Sequence, residues 1–217
     1  MTTDATRTPS RQRPSRRWVF GVALVVAVLI VAALNVKVVA VADLETTETF
    51  DPAAFAEERF TTEIVPQIEE DAVDLVTLLG ELANGAEPAD FGNTSGAGSA
   101  FAYPVILTAV AGTPAPPALP LTVEGVPADV VVQLQIGPAL NGTAIRDVTG
   151  TISFNQFVNQ LEYQNVSTAL NDQVRELVLA KVDPASLAGR TLRITGAFLR
   201  VNPEFISIVP VKVEVLP

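Results

Sequence analysis

Arg146 and Asp147 closely follow an Asn141-Gly142 pair, and this is one of the few places in the chain where residue types and spacing could do chemistry. Asn-Gly marks a tight turn. Arginine offers a rigid fork of donors and aspartate accepts from hydroxyls, so the two could hold a polar ligand. They could equally form an ion pair that pins the turn to a helix. Downstream lies an amide-rich run containing Asn155, Gln156, Asn159, Gln160, Tyr163, Gln164 and Asn165. Amides and a phenol donate and accept without charge, which suits a sugar or a peptide backbone. Asn155 and Asn159 are four apart and would share a helix face. The same run could instead face water, cap a helix, or fix that helix on a sheet. The candidate ligand- or partner-binding residues are therefore Arg146, Asp147, Asn155, Asn159, Gln160 and Tyr163.

Several chemistries are excluded outright. The chain has no Cys and no His. That removes disulfides, thiolate nucleophiles, Cys/His zinc sites and any Ser-His-Asp triad. Glu69, Glu70, Asp71 and Asp74 are clustered, but calcium needs a loop that supplies six or more oxygens, and none is visible. The cluster reads as a solvated face in the first turns of a helix. Two carboxylates could in principle hydrolyse a glycoside, yet no pair in the sequence is marked to meet across a cleft. The Gly-rich stretch 93–100 lacks the Lys-Ser/Thr ending of a phosphate loop. No catalytic residue, metal or cofactor is expected.

The charges are unevenly placed. Of 14 basic residues, five arginines precede Trp18 and Lys37 follows soon after. Beyond Ala42, eight basic residues face 23 acidic ones, a balance of −15. Such a surface repels phosphate backbones, so nucleic acid is an improbable partner. Trp18–Leu34 contains no charge, and weakly polar residues extend the segment to Ala42. About 20 apolar residues cross a bilayer as a helix. The arginines before it favour a cytoplasmic N-terminus, and Trp18 suits the interface. Residues 18–42 are thus expected to be a single-pass transmembrane anchor. Two other readings stand beside it: a signal peptide cleaved after Ala40-Val41-Ala42, and a twin-arginine export signal around Arg16-Arg17. All three put the rest of the chain outside the cytoplasm.

The organisation follows. Residues 1–17 read as a disordered cytoplasmic tail, and 43–50 as a polar spacer. Residues 51–99 form a helical segment and loop. Asp51-Pro52 starts a helix to about Phe60. A second is expected over Pro66–Ala83, from the stripe Ile68, Ala72, Val73, Leu75, Val76, Leu79 and Leu82. Residues 100–217 form a β-rich domain. Strands are expected at 100–111, 119–124 and 129–136, with short extended pieces at 143–146 and 151–154. A long helix then follows a Ser153/Gln156 capping box, breaks near Tyr163 and resumes through Val166, Leu170 and Val174. Two alternating strands close the chain. Three strands, a helix and two strands is the order of an OB-like barrel, in which a helix plugs the barrel end between strands three and four. The fold class is α+β.

Four stretches carry a family resemblance: 50–75 (FDPAAFAEERFTTEIVPQIEEDAVDL), 135–147 (QIGPALNGTAIRD), 154–171 (FNQFVNQLEYQNVSTALN) and 187–198 (LAGRTLRITGAF). Together they resemble a bacterial family of predicted periplasmic lipoproteins of unknown function. The family's genes are often described beside sugar ABC-transporter genes. This implies an accessory role in solute uptake, with a permease or solute-binding protein as partner. Typical members carry a lipobox cysteine, where this chain reads LNVKVVAVA. The expectation is a membrane-anchored, non-enzymatic partner-binding domain. A sugar-binding protein is the alternative, and a carboxylate-dependent hydrolase comes third.

Overall fold

Asp51 begins the fold as its sequence demands. In the computed structural model, which describes residues 50–217 and the helical pair Val25 and Val26, its Oδ1 accepts from the amides of Ala53 and Ala54 at 2.9 and 3.2 Å. Helix α1 (Pro52–Arg59) runs through one π turn (Phe60–Ile64) into α2 (Val65–Asp71). The expected helix over Pro66–Ala83 is interrupted. Ala72 turns extended, and β1 (Val73–Asp74) pairs in parallel with Val105 and Ile106. Asp74 then caps α3 (Leu75–Ala83), accepting from the Thr77 amide at 3.0 Å.

This break relocates the acidic cluster. Glu69, Glu70 and Asp71 occupy the last turn of α2, where the helix dipole opposes negative charge. Lys212 Nζ stands 3.7 Å from Glu69 and offsets part of that. The stretch 84–99, expected to be loop throughout, also holds β2 (Asn93–Thr94), paired with the start of the next strand.

Five long strands close into a barrel: β3 (Phe101–Ala111), β4 (Ala118–Thr122), β5 (Val131–Gln135), β6 (Thr191–Leu199) and β7 (Phe205–Val215). β3, β4 and β5 form an antiparallel meander. β5 pairs in parallel with β7, β7 antiparallel with β6, and β6 returns antiparallel to β3. This is the OB topology, as the order of elements foretold.

Between β5 and β6 the structure differs from expectation in three ways. Residues 144–147 form a short helix, α4 (Ala144–Asp147), rather than an extended piece. Thr151–Phe154 adds no strand, and Phe154–Gln156 is a 3-10 turn. Helix α5 (Gln160–Leu177) starts seven residues beyond Ser153 and passes Tyr163 without a break. Asn159 is its cap. The Asn159 side chain accepts from the Glu162 amide at 2.9 Å, and Glu162 reaches back to the Val158 amide at 3.1 Å. This is a variant of the capping box, in which the acid takes the amide before the cap rather than the cap's own, set six residues downstream of the expected one.

The strands separate two apolar clusters. One fills the barrel with Leu107, Leu119, Leu134, Ile194, Phe198 and Ile208, among others. The other lies outside the barrel wall, where Ala102, Ala197 and Val209 meet the helices. α5 sends Val166, Leu170 and Val174 into this outer cluster, while Leu75 and Leu78 of α3 join the interior one. The helix between strands three and four is therefore in the expected place in the chain but packs against the wall. α1 and α2 share the outer cluster with α5, so residues 50–217 make one compact unit across the boundary drawn at residue 99.

The expected anchor at 18–42 and the tail at 1–17 lie outside the described residues, apart from Val25 and Val26. Among the described residues no helix is long and apolar enough to cross a membrane.

Candidate functional site

The structure brings three of the six candidate residues together. Arg146 and Asp147 lie in α4 and Tyr163 in the first turn of α5, and all three are buried. Arg146 Nε donates to Asp147 Oδ1 at 2.7 Å, and Nη1 donates to the Tyr163 carbonyl at 3.2 Å. The guanidinium also stacks over the Tyr163 ring, 3.6 Å from its centroid. Thr143 Oγ1 donates to the other oxygen of Asp147. The Tyr163 hydroxyl approaches Asp147 Oδ1 at 3.5 Å. Arg146 and Asp147 are each only 4% exposed. Their polar groups bond to one another and tie α4 to α5, so the cluster is closed to ligand in this conformation.

Asn155, Asn159 and Gln160 lie outside that cluster, on the surface. Asn155 sits in the 3-10 turn and Asn159 caps α5, so the two do not share a helix face.

Burial pushes the Tyr163 hydroxyl above its ordinary pKa of 10.0, Arg146 opposes the rise, and the charge and hydrogen bond of Asp147 add to it. Burial likewise raises Tyr103, against the pull of Arg200. These are the chain's two tyrosines. The fold holds both as neutral phenols. The stability this gives is complete below pH 10 and is lost as pH climbs through the raised values. Tyrosinate absorbance is therefore expected to appear at higher pH in the native protein than in denaturant. Coincident native and denatured titration curves would disprove it.

A second region was not singled out from sequence. The outward residues of β5 are Val131, Gln133 and Gln135, and those of β7 beside them are Phe205 and Ser207. Val131 and Phe205 are register partners, 54% and 42% exposed. Gln133 Nε2 donates to Ser207 Oγ at 3.0 Å. Gln135 holds the Asn141 backbone from both sides, accepting from its amide at 2.8 Å and donating to its carbonyl at 3.2 Å. Gln135, Asn141, Phe205 and Ser207, with Val201 and Asn202 of the β6–β7 loop, border a groove of about 310 Å³. The sequences of β4, β5 and the first three residues of β7 contain no charged residue. In a strongly acidic chain this is an uncharged window. The alternation in VVQLQ was legible, but its meaning depends on β7 lying beside β5, 74 residues away.

Strands two, three and five of the OB barrel, beside the loop between strands four and five, thus present an uncharged, partly apolar face. The fold is that of an OB barrel. The family model of predicted periplasmic lipoproteins of unknown function matches residues 24–214, and the chain belongs to that family. Membership places the domain outside the cytoplasm, in association with a membrane. The chain contains no cysteine to carry a lipid. An OB-fold protein from Thermotoga maritima superposes with a TM-score of 0.62 at 19% identity, covering 78% of this chain and 100% of that one. At that identity the likeness is one of fold. No curated protein matches the chain.

Proposed function

We propose that this protein is a non-catalytic accessory domain, tethered by residues 18–42 with its N-terminus in the cytoplasm, that docks a protein of a solute-uptake system. The uncharged face of β5 and β7 carries this reading. Interface centres are depleted in charge and enriched in aromatics, and Phe205 beside Val131 fits that composition. A transporter permease or its solute-binding protein is the partner that the family's gene context favours. Nucleic acid fits poorly, since the domain repels phosphate.

A second reading has its own support. Gln135, Asn202 and Ser207 line the groove beside the Phe205 ring, and amides, a hydroxyl and a ring can hold a sugar. The two are separated by crosslinking in native membranes, followed by purification of the full chain and of Phe205→Asp. The expected result is a permease or solute-binding protein recovered with the natural chain and lost with Phe205→Asp. Equal recovery with both, or no such component with either, overturns the docking reading. A sugar that raises the melting temperature of the natural chain but not of Phe205→Asp would replace it with the second.

A further inference from the structure

Phe154, Val158 and Leu161 are 43%, 88% and 65% exposed. Single exposed apolar residues are ordinary on a protein surface. These three fall within eight residues at the start of α5, and Val158 is the most exposed large apolar residue of the described fold. Glu162, the nearest charge in sequence, is occupied in capping the helix.

Their position singles them out. Phe157, between Phe154 and Val158, packs its ring 5.2 Å from Phe50 and 5.8 Å from Phe55. Phe50 is the residue at which the chain enters the folded domain. Only residues 43–49 separate it from the apolar segment 18–42. Seven extended residues span at most about 25 Å. If that segment crosses the bilayer, Phe50 and the patch beside it are held near the lipid surface.

We infer that Phe154, Val158 and Leu161 rest in the outer lipid interface and orient the domain on the membrane. This rests on the tether reading above. Apolar side chains at an interface bind in proportion to the apolar area they bury, and three give little affinity alone. The tether makes the contact intramolecular, so little affinity is needed. The acidic surface disfavours anionic headgroups, so contact is with the acyl boundary and not through charge.

The absence of cysteine allows a clean test. Full-length Val158→Cys, Leu161→Cys and Ala115→Cys are labelled with an environment-sensitive fluorophore and placed in phosphatidylcholine nanodiscs. Ala115 is an exposed residue of the β3–β4 turn, outside the aromatic cluster. The expected result is blue-shifted emission at 158 and 161 that a lipid-borne quencher largely extinguishes, with neither effect at 115. Probes at 158 and 161 as wet as the one at 115 overturn the proposal while leaving the tether standing. Probes there that are shielded from water but untouched by the quencher also overturn it, and assign the cover to protein. Failure of the chain to co-elute with the nanodiscs removes the tether and this inference together.

Discussion

Asp147→Ala is expected to destabilise the protein by about 3–5 kcal/mol, the range for removing one partner of a buried ion pair. Asp147 is 4% exposed, and its carboxylate receives Arg146 Nε at 2.7 Å and the Thr143 hydroxyl. Without it the Arg146 guanidinium stays buried, with only the Tyr163 carbonyl and ring for company. The cost is the desolvation of an unpaired cation, not the worth of one hydrogen bond. Replacing both members, Arg146→Met with Asp147→Leu, is expected to cost far less, because no charge remains to desolvate. Asp172→Ala serves as the surface control. It breaks the Asp172–Arg175 pair at 2.8 Å, whose side chains are about 40% exposed, and pairs of that kind contribute about 0–1 kcal/mol. Urea unfolding of the four proteins reads all three differences. A single Asp147 change that costs no more than the surface control would show that water reaches the pair, and would reopen it as a ligand site.

What was legible in the sequence was local. Asp51-Pro52 announced its helix because the cap and the first turn are adjacent in the chain. The first three barrel strands announced themselves by short runs of Val, Ile and Leu, and the last two by alternation. What failed depended on distant partners. The apolar stripe from Ile68 to Leu82 reads as one helix, yet Val73 and Asp74 leave it to pair with β3. Ser153/Gln156 and Asn159/Glu162 both satisfy a capping template. The second prevails while Phe157 stays extended and packs on Phe50 and Phe55. Arg146, Asp147 and Tyr163 were each picked for their chemistry. That they meet follows from the packing of α4 on α5, which a separation of sixteen residues does not reveal. The amides at 155 and 159 were assigned to one helix face, and a start at Gln160 separates them.

The barrel closes at a position whose signal was present and easily passed over: a glycine inside an alternating strand, which often marks a bulge or a close backbone approach. Gly196 pairs with Val105 of β3 on one side and Pro210 of β7 on the other, and the β6–β7 register shifts beside it. A Cβ built there runs into the Val209 carbonyl oxygen, and lies 3.0 Å from Pro210 Cα and 2.9 Å from Ile208 Cγ2. Two of these three are backbone atoms, held in place by the ladder, so they cannot swing aside as the end of a long side chain would. Gly196→Ala is therefore expected to cost about 3 kcal/mol or more, the upper end of overpacking. Gly80→Ala supplies the opposite sign. Gly80 lies in α3 with nothing within 4 Å of its missing Cβ, and alanine there is expected to stabilise by about 0.5–1 kcal/mol. The same atom is thus added twice, once against a closed seam and once on an open helix. Urea midpoints that move in opposite directions would confirm that the β6–β7 seam tolerates only glycine. Since β5 pairs with β7, a seam forced apart would also disturb the Val131–Phe205 face, and with it any partner docked there. A Gly196→Ala protein of unchanged stability would mean that the seam relaxes, and that the register shift beside it is not fixed by glycine.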